Sequence, residues 1–461
     1  MPINKYILRS TFVGALGGLL FGFDTAVISG TNAGLVQSFG LINFDWLVPV
    51  LHFHMMVSQL GITVSMALVG TVIGALSAGT LGQRYGSREM LRITAVLYLL
   101  SAIGCAFAPS WTILLVARLL GGLGIGGSSV LGPVYIAEVA PARLRGRLVG
   151  TFQINIVIGI LLAYLSNYLI SLLNLGTNEW RWQLGVAAFP ALVFFLLLFG
   201  IPRSARWLTT QSRFDEAKDV LELMGSANSE AELADIRDSL HLELSHKKAS
   251  LFERLDGRFR YGKPILLAIA LAAFNQLSGI NAILYYINNI FADAGFSRVS
   301  GNLQAVAIGT MNLAATFLGM ALIDRLGRKR LLLIGAVGTA VCLSAVAAIF
   351  YTDRHKELLV WALVAYIGFF AVSQGAVVWV YLSEIFPTRV RGKGQSLGSG
   401  THWVMNAILS YSFPLIALRS GAYPFVFFAA MMVLQFFVVL VYFPETKQVS
   451  LEELQRKLRI L

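Results

Sequence analysis

The chain has 461 residues, of which 56% are apolar and 13% charged, with a mean hydropathy of +0.71. Soluble domains run at about 45–50% apolar and about 25% charged, so an ordinary soluble enzyme and a disordered chain are both excluded. The formal charge of +12 needs no nucleic acid, because it follows the edges of a bilayer, and Cys105 and Cys342 lie in apolar runs with no disulfide framework or metal spacing.

Met1 to Arg9 leads straight into an apolar stretch long enough to span, with no cleavable signal evident. A hydrocarbon core takes roughly 20 apolar residues per helix. Twelve such runs occur, near 8–29, 57–81, 91–108, 112–137, 148–171, 183–201, 263–290, 303–323, 331–350, 358–382, 394–418 and 423–443. They predict an all-α integral membrane protein: a six-helix bundle over 1–201, a cytoplasmic helical linker over 202–262, a second six-helix bundle over 263–443 and a tail over 444–461. The first outer loop, about Gly30 to Met56, is the other long connection. In the linker, Ser229 and Glu232 make a capping box, Leu233, Ile236 and Leu240 form an apolar stripe, and Gly225 stops the preceding helix.

Thirty of the 36 Lys and Arg residues fall on the side of both termini, against five on the other side, and Arg118 lies inside a span. Setting aside the 11 basic residues from Arg203 to Lys263 leaves 19 against 5, which predicts cytoplasmic termini and a basic rim facing anionic lipid.

The chain repeats itself. Val134, Tyr135, Glu138, Pro141, Arg143, Arg145 and Gly146 recur 246 positions later as Val380, Tyr381, Glu384, Pro387, Arg389, Arg391 and Gly392. A weaker pair follows the second span of each half, Gln83 to Arg88 against Asp324 to Lys329. Six spans separate the copies, so both halves share one orientation. That is the parallel-repeat logic of a transporter with a midplane site between two rocking bundles.

Polar residues inside spans are costly and face a cavity or another helix. Span eleven carries Ser399, His402, Asn406 and Ser410 at helical spacing on one face, with Trp403 beside them. Span seven carries Asn275, Gln276, Asn281 and Tyr285 around Ser278 and Gly279, an expected break. An uncharged solute rich in hydroxyls needs a site with amides that donate and accept, and aromatic faces for its apolar side. Gln153, Gln276, Asn281, Asn312, Trp379 and Trp403 meet that specification. The competing reading is that such amides only join helices. Asp24 and Arg118 are the strong acid and base placed well inside spans, so a mutual pair between spans one and four is expected. It either fixes packing or, by separating, lets Asp24 take up a proton.

Glu138, Arg145, Glu384, Arg391, Arg84, Arg325 and Arg328 mark the cytoplasmic ends and read as an inner gate of salt bridges or as a solvated rim. Gly122, Gly124 and Gly127 match a dinucleotide fingerprint formally, but inside an apolar span they favour close helix packing. Ser128 and Ser129 lack a base and an orienting acid, and His52 and His54 are too few for a metal site. No cofactor, metal, nucleic acid or obligate protein partner is expected, and the protein is read as a transporter, not an enzyme.

In order along the chain, Gly22-Phe23-Asp24, Arg118, Pro133 to Gln153, Pro202 to Leu208, Gln276 to Tyr286, and Pro444 to Lys447 resemble the sugar porter family of the major facilitator superfamily over essentially the whole length. The resemblance implies a monosaccharide such as glucose or xylose as substrate, bound by Phe21, Gln153, Asn275, Gln276, Asn281, Tyr285, Asn312, Trp379, His402, Trp403 and Asn406. It also implies proton coupling through Asp24 and Arg118, since similar proton symporters carry Asp at this position while facilitators tend to carry an amide. Gln83 and Ser87 depart from an acid and a base in the family pattern, Asn275 from a glutamine, His402 from an amide and Gln448 from a glycine. A sugar uniporter, an exporter of other solutes and a non-transporting sugar sensor are the competing readings. The compact loops point to a bacterial inner membrane.

Overall fold

Backbone groups in hydrocarbon find no solvent partner, so long apolar segments close their hydrogen bonds within helices. The computed structural model describes residues 4–48, 53–141, 144–226, 228–246, 250–255, 258–387, 390–449 and 451–458; Arg143 and Arg389 of the repeated motif and His52 lie outside them. The helices begin with α1 (Lys5–Phe39), followed by a hairpin of β1 (Asn43–Val48) and β2 (Phe53–Ser58). Then come α2 (Gln59–Tyr85), α3 (Ser87–Ala106), α4 (Trp111–Val139), α5 (Arg145–Leu172), and α6 (Glu179–Gly185) with α7 (Ala188–Leu197) as span six. The linker contains α8 (Ala205–Thr210), α9 (Phe214–Leu223), α10 (Ser229–His246) and the short pair β3 (Arg254–Leu255) and β4 (Arg258–Phe259). The second half contains α11 (Gly262–Leu277), α12 (Ile280–Asp293), α13 (Arg298–Leu326), α14 (Arg328–Thr352), α15 (Leu359–Phe370), α16 (Ala376–Glu384), α17 (Arg391–Ala417) and α18 (Tyr423–Tyr442). The tail carries α19 (Leu451–Lys457).

Among the described residues, eleven helical segments are long and apolar enough to cross a membrane. The remaining expected span, 394–418, is α17, a 27-residue helix whose apolar run is interrupted by Arg391, Lys393, His402 and Asn406.

The chain divides into two compact units: Met1–Asp24, Val69–Ala163 and Arg181–Lys248 form one, and Thr25–Leu68, Tyr164–Trp180 and Ala249–Leu461 the other. The division runs through α1, α2, α5 and α6. In the first unit, α1 and α5 approach at glycines, where a Cβ on Gly22 would overlap the Ile156 carbonyl and one on Gly159 the Leu19 carbonyl. Beside this crossing Ile7, Ala15, Ile136, Ala140, Leu148 and Phe152 form an apolar core, with Phe21 packed against it. The glycine-rich part of α4 fits against neighbouring helices, with Gly126 facing the Thr71 carbonyl and Gly127 the Thr94 side chain. In the linker Leu233 and Ile236 pack on Ala205, Leu208, Ala217 and Leu221; the Leu240 side chain lies outside the described residues. In the second unit the core includes Tyr261, Leu271, Leu332, Tyr381, Phe386 and Phe443.

Two local expectations are corrected. The first outer loop does not begin near Gly30, because α1 continues to Phe39: Asn32 and Leu35 are buried there. Gly34 lies against the Trp180 ring, and the remainder of the loop includes the hairpin. The cap of α10 is Asn228, whose Oδ1 accepts from the Ala231 amide at 3.0 Å, while the Ser229 hydroxyl donates to Glu222 Oε1 at 3.1 Å. Gly225 does end α9, with φ of +84°.

Candidate functional site

In the first unit, α1 presents Asp24 and α4 presents Arg118. Arg118 Nη1 donates to Asp24 Oδ1 at 2.9 Å, with side-chain exposures of 4% and 15%. Ions withdrawn from water are tolerated only when paired, and removing one partner of such a pair costs about 3–5 kcal/mol. Asp24 Oδ2 is buried and accepts no hydrogen bond from the described residues. Nearby, the Tyr98 and Ser128 hydroxyls are hydrogen-bonded at 2.9 Å, tying α3 to α4. Phe21 and Gln153 belong to this unit, Phe21 on the apolar core and Gln153 partly buried on α5.

In the second unit, span seven breaks where the sequence places Ser278 and Gly279. Gly279 takes φ of +85°, and the Phe428 ring occupies the space a Cβ would need, so the position suits glycine on both counts. The break turns three amides toward one another. Gln276 Nε2 donates to Asn275 Oδ1 at 3.2 Å and lies 3.1 Å from His402 Nε2, while Asn281 Nδ2 donates to Gln276 Oε1 at 3.1 Å. In this arrangement Gln276 turns its amide N–H toward the imidazole, to which an unprotonated ring nitrogen is the matching acceptor. The His402 ring centroid lies 5.2 Å from that of Trp379 and 5.3 Å from that of Trp403. Trp379 is 40% exposed and Trp403 only 3%, so Trp379 offers the accessible aromatic face.

A second polar cluster continues along the same helices. Asn406 Nδ2 donates to the Tyr285 hydroxyl at 3.2 Å, and Ser410 Oγ donates to Asn406 Oδ1 at 3.1 Å. Asn312, buried on α13, accepts from Thr316 through its main-chain oxygen. Span eleven thus meets span seven through the side chains of His402 and Asn406 and through the Ser410 carbonyl, which accepts from the Tyr286 hydroxyl at 3.0 Å, at the helical spacing legible in the sequence.

The repeated motif closes each half differently. Ser87 Oγ donates to Glu138 Oε2 at 2.8 Å. Arg328 Nη2 donates to Glu384 Oε1 at 2.8 Å, and Thr446 Oγ1 to Glu384 Oε2 at 2.6 Å. Arg391 reaches the Phe386 carbonyl, not a carboxylate; Arg84 lies over Tyr85 and is exposed, as are Arg145 and Arg325. The Arg325 carbonyl accepts from Lys447 Nζ at 2.7 Å. Burial opposes the charge of Glu445, yet the amides of Lys447, Arg328, Lys329 and Thr446 donate to it and hold its carboxyl below the ordinary glutamate value.

Sequence reasoning passed over several polar residues. Asn32 donates to the Tyr285 carbonyl and to Asn289 Oδ1, Tyr164 to the Leu284 carbonyl, and Arg298 pairs with Glu179 at 2.6 Å. Glu89, paired with Arg88, Arg92 and Arg203, was missed as well. Their signal was the one used elsewhere, a polar side chain in or beside an apolar run, but only the fold supplies the partner.

A bundle of spanning helices with a buried ion pair and an amide-rich, aromatic-flanked break defines a membrane transporter of the major facilitator fold. The chain belongs to the sugar (and other) transporter family, which matches residues 10–458. It is 35% identical to the D-xylose-proton symporter of Escherichia coli strain K12, over 98% of this chain and 96% of that protein. The arabinose-proton symporter of Bacillus subtilis strain 168 is 33% identical, over 98% and 95%. Among solved structures, the partially occluded inward-open form of the E. coli xylose transporter superposes with a TM-score of 0.82 at 32% identity, covering 97% of this chain and 100% of that one. The proton:xylose symporter bound to 6-bromo-6-deoxy-D-glucose matches with a TM-score of 0.77 at 33% identity, covering 98% and 99%.

Proposed function

We propose that this protein is a proton-coupled monosaccharide symporter of a bacterial inner membrane, with both termini cytoplasmic. It would work by alternating access between bundles at 1–201 and 263–443, joined by the linker at 202–262. The observation that carries the coupling is the buried Asp24–Arg118 pair: it holds a carboxylate, where an amide would suit a uniporter, and it leaves one oxygen unpartnered. The substrate assignment rests on the amides of Asn275, Gln276 and Asn281 joined to His402, Trp379 and Trp403, which suit an uncharged polyol and offer no fixed charge to an ionic solute. Phe21, Gln153, Tyr285, Asn312 and Asn406 complete the proposed sugar set. Arg328–Glu384 and Ser87–Glu138 are the core of the proposed inner gate, with Arg84, Arg145, Arg325 and Arg391 on its rim.

The energetics suffice. One proton moving through ~100 mV supplies about 2.3 kcal/mol and one pH unit about 1.4. At about 1.4 kcal/mol per tenfold, one proton per sugar supports accumulation of several hundredfold. The test is uptake of radiolabelled glucose and xylose into proteoliposomes with and without an inward proton gradient. Gradient-driven accumulation is expected for one of them and is abolished by Asp24→Asn, which retains sugar exchange. Equilibration alone by the unaltered protein would assign it to uniport.

A further inference from the structure

We infer that a small cavity beside Asp24 is a binding site for one water molecule, held between Asp24 Oδ2 and the Ser101 hydroxyl, and that Ser101 positions this water for the coupling carboxyl. The inference rests on the symport reading above and deepens it. The cavity lies within the first unit and measures about 10 Å³, close to the roughly 10–15 Å³ that one water requires. Its walls include Leu20, Leu184 and Ala187, which offer no side-chain hydrogen bonds, and Asp24, Tyr98, Ser101 and Cys105, which do.

Two observations point to an occupant. Asp24 lines this space, and its Oδ2 is buried without a donor among the described residues, although Oδ1 is held by Arg118 at 2.9 Å. Ser101 and Cys105 stand one turn apart on the neighbouring helix and both line the cavity, so the Ser101 hydroxyl can donate to a water there or accept from it. A water there completes a line from Ser101 to Oδ2. The line reverses when Asp24 is protonated: the carboxylic acid donates to the water and the water to Ser101. The carboxyl is then hydrogen-bonded in both charge states, as a group that must gain and lose a proton inside the membrane requires. The other charged or titratable groups facing it are Arg118 on α4 and Tyr98 and Cys105 on α3; span six contributes only apolar lining.

The test compares Ser101→Ala, which removes the hydroxyl, with Ala102→Val, which fills the cavity from another lining position. Both proteins are checked for monodispersity in detergent, and Asp24→Asn is measured in parallel. Each variant removes a donor from the carboxylate, so the pH of half-maximal gradient-driven uptake should rise by about one unit. The infrared carboxyl stretch that Asp24→Asn abolishes should shift in both. An unmoved midpoint and an unmoved stretch in both variants, with accumulation still abolished by Asp24→Asn, would overturn the water site and leave symport standing. Accumulation retained by Asp24→Asn would remove the symport reading and this inference with it.

Discussion

The two copies of the repeated motif share a scaffold and differ in what holds their glutamates. Tyr135 donates to the Pro202 carbonyl at 2.8 Å and Tyr381 to the Pro444 carbonyl at 3.0 Å, and Gly86 and Gly327 turn the chain with φ of +94° and +90°. On that common frame Glu384 takes a guanidinium from Arg328, while Glu138 takes a neutral hydroxyl from Ser87. In the first half Arg88, Arg92 and Arg203 pair with Glu89, while Ser204 also hydrogen-bonds Glu138 and the charge of Arg206 acts on it. A duplicated backbone therefore does not duplicate the electrostatics: where the second half places Arg328 and an ion pair, the first half places Ser87 and a hydroxyl-to-carboxylate hydrogen bond. At this repeated position the second half carries the stronger contact.

That asymmetry can be broken from its strong side first. Arg328→Ala leaves Glu384 with Thr446 alone, and a loss of about 3 kcal/mol in stability is expected, read as an earlier melting transition in detergent. A loss no larger than that of Ser87→Ala would end the claim that the halves differ. Next comes acid. Since the folded value of Glu445 is depressed, its contribution is fully present above the ordinary glutamate value of 4.5 and is lost as pH falls through the lower folded value. The melting temperatures of the protein and of Glu445→Gln should therefore differ at neutral pH and converge in acid; a constant gap would refute the assignment.

Ser87→Ala itself removes one hydrogen bond to a carboxylate, for about 1.5–3 kcal/mol at most. The pair Gln83→Asp with Ser87→Arg imports the second half's chemistry, and should raise the melting temperature by roughly 1–3 °C. No gain would mean that the linker, where Trp207 Nε1 donates to the Gln83 carbonyl, already occupies the space. Smallest are Tyr135→Phe and Tyr381→Phe, each costing about 1 kcal/mol. Equal losses would show that the scaffold is energetically as well as geometrically repeated.

Much of this was visible in the residues. Apolar runs located the helices, Gly279 announced the break in span seven, and His402, Asn406 and Ser410 announced a polar face on span eleven. Other features were not visible. The sequence around residue 30 carries polar and small residues that suit a loop, yet α1 continues because Asn32 finds acceptors on α12 and Gly34 fits Trp180. Arg325, Arg328 and Arg391 all stood among the expected gate residues, and the fold pairs Arg328 with Glu384.

What the sequence by itself determined is the membrane class, the repeat and the presence of polar groups that apolar surroundings cannot leave unpaired, because burial costs depend on residue type and on the length of the run around it. What only the tertiary structure decided is which partner each of those groups meets. Hydrogen bonds and ion pairs form over about 3 Å, and the rotation and depth of one helix against another, set by glycine contacts such as Gly22 on Ile156, bring side chains into that range or leave them outside it.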